Sequence, residues 1–127
     1  MSLQESTAPA EFDIEPGETC LTAMMATAKA RPHGIMFTRP ANYEWINVTA
    51  KEFVAEVFEV AKGLISCGVE KGDRVALLSN TRYEWSLMDY AIWAAGAVSV
   101  PIYPSSSMSQ VQWIIEDSGT IVAITET

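Results

Sequence analysis

Hydroxyl groups placed after a hydrophobic run are the first residues in this sequence with chemical promise. In YPSSS, residues 103–107, Tyr103, Ser105 and Ser106 follow the run AVSVPI and precede a helical pattern. Such a junction can hold an anion, because the first N–H groups of a helix are unpaired and its dipole is positive there. SNTRYE, residues 79–84, has the same geometry and adds a guanidinium, so Ser79 and Arg82 join the candidate cleft-lining residues. Ser107 has a competing job: with Gln110 it reads as a capping box. Neither loop carries a GxxxxGK[ST] or GxGxxG signature.

Other chemistries fail on the residues available. His33 is the single histidine and no GxSxG elbow is present, which argues against a serine hydrolase. Cys20, Cys67 and His33 have no zinc-like spacing. Glu56 with Glu59, and Glu116 with Asp117, read as solvated helix faces. Trp45, Trp85, Trp93 and Trp113 read as packing anchors. The expectation is no catalytic residue, no metal site and no cofactor held by this chain.

The elements that position these loops follow from periodicity. Residues 19–29 read as a helix, with Leu21, Met24, Met25 and Ala28 at helical spacing, ended by Arg31-Pro32. GIMFTRP and YEWINVT read as a β-hairpin. The next helix carries a stripe of Val54, Val57, Phe58, Ala61, Leu64 and Ile65. It opens on a capping box of Thr49 with Glu52 and stops at Gly68. RVALLS is a continuous apolar run and suits a strand covered on both faces. Thr81 with Glu84 suggests a further capping box, and Trp85, Met88, Ala91, Ile92 and Ala95 a further stripe, stopped by Gly96. AVSVPIY is the next strand, with Pro101 placing it at an edge or bulge. A last helix presents Val111, Ile114, Ile115 and Ser118 on one face and stops at Gly119, and TIVAITE is the last strand. Strand–helix alternation with short links predicts an α/β fold: a parallel sheet, right-handed crossovers, flanking helices on both faces and an N-terminal hairpin. Residues 1–18 read as a polar, acidic lead-in and 19–127 as one α/β unit.

Composition bounds the partners. The 127 residues are 49% apolar and 19% charged, with a net charge of −8. That charge repels a nucleic-acid backbone, so no nucleic acid is expected, and it argues against anionic membrane surfaces for the same reason. No stretch is long and apolar enough to span a bilayer. Without a secretory signal pattern, both cysteines are expected as free thiols in the cytoplasm, and Asn47-Val48-Thr49 as a chance sequon.

The order of these segments resembles the N-terminal part of the adenylate-forming enzymes, the acyl-CoA synthetases, luciferases and peptide-synthetase adenylation domains. Val48-Thr49-Ala50-Lys51-Glu52-Phe53 is similar to their Leu-Thr/Ser-Tyr-x-Glu-Leu motif, with Ala50 in place of tyrosine. The stretch from Ala94 through Gly96 to Pro101 is similar to their Lys-Ala-Gly-x-x-x-x-Pro motif, with Ala94 in place of lysine. Gly72-Asp73-Arg74-Val75 lies between them. The resemblance runs over residues 45–126 and is nearest to bacterial long-chain fatty-acid–CoA ligases. It implies part of the large N-terminal domain of that fold. The motifs found are structural ones in that family, and its phosphate loop and catalytic positions are expected beyond Thr127. ATP, magnesium, coenzyme A, a fatty acid and the remainder of the ligase are thus implied for a longer parent, with peripheral membrane association of that parent an alternative to a purely cytoplasmic one. The chain alone is expected to be inactive. A stand-alone binding or self-associating α/β module, and an independent small nucleotide-binding protein, are the competing readings.

Overall fold

A computed structural model describes residues 7–9 and 11–126. Its elements are α1 (Cys20–Ala30), β1 (Ile35–Ala41), β2 (Glu44–Thr49), α2 (Ala50–Ser66), β3 (Arg74–Leu78), α3 (Tyr83–Ala94), β4 (Val98–Ile102), α4 (Met108–Ser118) and β5 (Val122–Thr125). Of the expected lead-in, residues 1–6 and 10 lie outside the described residues. Residues 11–18 are exposed, and a turn is closed there by the Glu18 N–H donating to the Glu15 carbonyl.

The hairpin turns on Asn42 and Tyr43, both left-handed, with φ of 50° and 67°. Two such residues make the turn whose twist matches that of paired strands. Asparagine tolerates this region, and Tyr43 projects wholly into solvent. The second sheet has the order β4-β3-β5, parallel throughout. β3 is central and buries Val75, Ala76 and Leu77, so both of its faces are covered. β4 is an edge, where Pro101 needs no ladder donor. The crossovers β3-α3-β4 and β4-α4-β5 run in opposite directions across the sheet. With right-handed connections they lie on opposite faces.

Capping chemistry sets the helix ends. The Thr49 and Ser107 hydroxyls accept from the N–H groups of Glu52 and Gln110, whose side chains reach back to the cap N–H groups. Thr19 does the same with Thr22. Gly68, Gly96 and Gly119 follow their helices with φ of 92°, 80° and 63°. The box expected between Thr81 and Glu84 does not form. Arg82 is the N-cap, and the Glu84 carboxylate is instead taken by the Arg82 guanidinium at 2.6 Å. The helix starts one residue later than expected, so Glu84 is its second residue and not the third that a capping box needs.

Two stripes are also rotated from expectation. α2 buries Ala50, Phe53, Val57 and Ala61, whereas Ile65 is exposed. α3 buries Tyr83, Leu87, Ala91 and Ile92, leaving Trp85 and Met88 half-buried. α3 is apolar on most sides, so periodicity alone could not choose its inner face. Its neighbours α1, α2, β1, β3 and β4 choose it. The main core joins Met24, Val48, Phe53, Val57, Tyr83 and Leu87, and a second cluster joins Val69, Val75, Ile92 and Ala97. Phe53 sits among Phe37, Tyr83 and Tyr90, with ring centroids 4.7, 6.0 and 5.5 Å away.

Candidate functional site

β3 and β4 are adjacent and parallel, and their outgoing chains turn to opposite faces of the sheet. Such a divergence opens a crevice at the carboxyl ends of the strands. Here it is a cleft of about 510 Å3 lined by Ser79, Thr81, Trp85, Pro101, Tyr103 and Ser105, among others. Ser79 and Thr81 come from the loop after β3, Tyr103 and Ser105 from the loop after β4. The latter is a turn in which the Ser106 N–H donates to the Tyr103 carbonyl at 2.9 Å, with Pro104 fixing φ at its second position. Tyr103 is 80% exposed. The side chains of Ser105 and Ser106 have no hydrogen-bond partner among the described residues, and Ser106 does not line the cleft.

The loop after β3 is tied to the end of β5 by a carboxylate the sequence reading passed over. Glu126 Oε2 accepts from the Asn80 N–H at 2.9 Å, from Asn80 Nδ2 at 2.9 Å and from Ser79 Oγ at 3.3 Å. Its Oε1 accepts from Arg82 Nη1 at 2.9 Å. The Asn80 backbone N–H first, then its side-chain amide and the Arg82 guanidinium, hold the Glu126 carboxyl down at about 2. The Arg82 side chain likewise lowers Glu84. Arg82, expected as a cleft-lining residue, is shared between the two carboxylates. A sequence signal was available: in a parallel sheet, a glutamate right after the last strand must emerge at the same end as the loop containing Arg82.

A second crevice of about 420 Å3 lies where the hairpin meets α3, bounded by Arg39, Thr81, Arg82, Tyr83, Glu84 and Glu126. The Arg39 guanidinium lies 4.6 Å above the Tyr83 ring, and its Nη1 is 3.8 Å from Glu84. The Tyr83 hydroxyl donates to Glu56 at 2.8 Å. Burial, then that hydrogen bond, push the phenol well above its usual range, so it stays protonated.

This arrangement can position groups at the carboxyl ends of the strands. The carboxylates at the carboxyl ends are ion-paired and remain charged near neutral pH, which disqualifies them as general acids. Ser79 Oγ touches the Glu126 carboxylate, but that carboxylate is held down at about 2 by Asn80 and Arg82, which makes it a poor base to activate an attack. No cluster of three metal-ligating side chains exists among the described residues.

Comparison with known proteins decides the family. The pattern of the AMP-binding enzymes matches residues 25–127. The chain belongs to the AMP-binding enzyme family. Over 125 residues, 98% of its length, it is 38% identical to the long-chain-fatty-acid–CoA ligase FadD15 of Mycobacterium bovis, of which it spans 21%. Over 108 residues it is 30% identical to the uncharacterized protein Rv1549 of Mycobacterium tuberculosis, covering 85% of this chain and 61% of that protein. The N-terminal domain of FACL13 from Mycobacterium tuberculosis superposes with a TM-score of 0.76 at 30% identity, covering 83% of this chain and 26% of that one. The chain is thus homologous to the N-terminal region of long-chain fatty-acid–CoA ligases and spans about a fifth of FadD15. Within the AMP-binding family frame, the Thr49–Glu52 cap, the Gly96 stop and the Pro101 edge serve folding, as their hydrogen bonds and positions indicate.

Proposed function

We propose that this chain is the N-terminal flank of a long-chain fatty-acid–CoA ligase, and that the two loops at the carboxyl ends of β3 and β4 wall the ligand cleft of that longer protein. The whole ligase activates a fatty acid with ATP and magnesium to an acyl-adenylate and passes the acyl group to coenzyme A. The observation that carries this is the 38% identity to FadD15 over 98% of the chain. Ser79, Thr81, Tyr103 and Ser105 shape the cleft, and Glu126 keeps the 79–82 loop in place through Asn80 and Arg82. The chemistry itself is assigned to the remainder of the ligase, of which this chain spans about a fifth. Two unbridged, exposed thiols, Cys20 and Cys67, support a cytoplasmic setting.

A chimera tests the proposal. FadD15 is made with this chain in place of its matching segment, and palmitoyl-CoA formation is followed with ATP, magnesium and coenzyme A. Activity within about tenfold of FadD15 is the expected outcome, a loss of no more than ~1.4 kcal/mol in transition-state stabilisation. A folded, saturably ATP-binding chimera without thioester formation would overturn it. The chain alone is expected to release no pyrophosphate under the same conditions.

The stand-alone binding module remains the second reading, favoured by Rv1549, of which the aligned region makes up 61%. Light scattering of the isolated chain separates the two. A defined, concentration-independent oligomer speaks for the module, and a monomer for the ligase flank.

A further inference from the structure

The hairpin and the cleft loop belong to different sheets, yet one row of charges joins them. Arg39 comes from β1, where its register partner is Ile46 of β2. Its guanidinium stacks on the ring of Tyr83, the first residue of α3. That ring is itself fixed: its hydroxyl donates to Glu56 of α2, and Phe37 of β1 and Phe53 of α2 lie 5.5 and 6.0 Å from it between centroids. Arg39 Nη1 stands 3.8 Å from Glu84 Oε1. The other Glu84 oxygen accepts from Arg82 Nε, and Arg82 Nη1 donates to Glu126 Oε1. Glu126 in turn accepts from the Asn80 N–H. The signs alternate along the row: Arg39, Glu84, Arg82, Glu126. Arg39 does not line the cleft. Its Nε is buried and has no hydrogen-bond partner among the described residues. An unpaired buried N–H is unfavourable, so this guanidinium acts through its charge and its stacking. Pairs this exposed are weak singly and count when several charges form one network.

We propose that Arg39 is a positioning residue for the cleft: through Glu84 and Arg82 it couples the seating of the hairpin to the place of the 79–82 loop. The coupling rests on the ligase reading only in taking that loop as a wall of the ligand cleft. Energetic coupling between two regions is carried by contiguous packed and ion-paired side chains, and each link here is such a contact. Among the described residues, Glu84 pairs with two cations, Arg39 and Arg82. Without Arg39 it is held by Arg82 alone, and the hairpin loses its charged hold on the loop.

Amide exchange of the whole chain tests this without any catalysis. The Asn80 amide reports the loop, and the amides of the central strand β3 report global opening. R39M keeps the length of the side chain and removes its charge. It should speed Asn80 exchange about threefold more than it speeds β3, the size expected for a partly exposed pair within a network. R39K keeps the charge and should restore most of the protection. E84Q leaves Arg39 on Tyr83, so it keeps the test open if R39M does not fold. E84Q should speed Asn80 exchange too, and R39M added to it should change nothing more, because the path runs through Glu84. Four outcomes would overturn the proposal: Asn80 unmoved by R39M, Asn80 and β3 speeded by the same factor, a lysine that restores nothing, or effects of R39M and E84Q that simply add. An inactive FadD15 chimera with this coupling intact sinks the ligase reading alone. An active chimera without the coupling sinks only the role of Arg39.

Discussion

α2 and α4 begin and end in the same way, yet one is enclosed and the other is not. Each opens on a capping box, Thr49 with Glu52 and Ser107 with Gln110, and each is followed by a left-handed glycine, Gly68 and Gly119. α2 then buries Ala50, Phe53, Val57 and Ala61 against α1, α3 and the hairpin. α4 buries no residue fully, packs mainly on β4, and leaves Met108 88% and Trp113 63% exposed. Local hydrogen bonds decide where a helix starts and stops. What surrounds it decides how much it stabilises.

The contrast is sharpest in two truncations. Phe53 is fully enclosed within a ring of aromatics. Phe53→Ala removes that contact and leaves a cavity, which should cost about 3–5 kcal/mol. The loss reads as a lower urea midpoint at unchanged slope. Trp113→Ala should stay within about 0.5 kcal/mol. Comparable losses at the two positions would mean that α4 is as enclosed as α2 in solution.

The same contrast marks what could be read from the sequence. Element order, the three expected glycine stops, the edge position of Pro101 and the boxes at Thr49 and Ser107 depend on neighbours within a few residues, and they were legible. Inner faces were less so. Phe53 was missed on α2 and Leu87 on α3, because both helices carry apolar residues on several sides and tertiary contacts select one. The Thr81–Glu84 box failed because the helix is capped at Arg82, one residue later, and the Glu84 carboxylate pairs with the Arg82 guanidinium. At the candidate site, the two loops were legible as strand exits. Glu126 was legible only through the parallel topology, because its partners Ser79, Asn80 and Arg82 lie more than forty residues away along the chain. The same distance hid Arg74, whose guanidinium donates to the Ser118 and Gly119 carbonyls and so closes the end of α4.

The caps give a smaller test of the same idea. Thr49→Ala removes a hydroxyl that accepts from the Glu52 N–H and should cost about 1 kcal/mol of global stability. Ser107→Ala removes the equivalent bond, at the same 3.3 Å, from a helix with little burial behind it. Its effect should appear as faster amide exchange in the first turn of α4, with a smaller shift of the unfolding midpoint than Thr49→Ala gives. A larger midpoint shift from Ser107→Ala would show that α4 contributes more to cooperative unfolding than its exposure implies.

The smallest expected effect is at Glu126, and acid brings it out. Its carboxyl is held at about 2, against an ordinary value of 4.5. Between those values the unfolded chain binds the proton and the folded chain does not, so stability rises with pH. The contribution is complete above 4.5 and is lost as the pH falls through that window toward 2. Glu52, lowered by the Thr49 N–H, acts in the same direction. Glu126→Gln keeps the shape and removes the charge. It should flatten the pH dependence of stability across this window without removing it, because Glu52 still titrates there. At neutral pH it should speed exchange of the Asn80 amide, whose acceptor it weakens. If both the acid slope and that exchange rate match the parent chain, Glu126 does not hold the 79–82 loop, and the wall of the cleft is set by β3 alone.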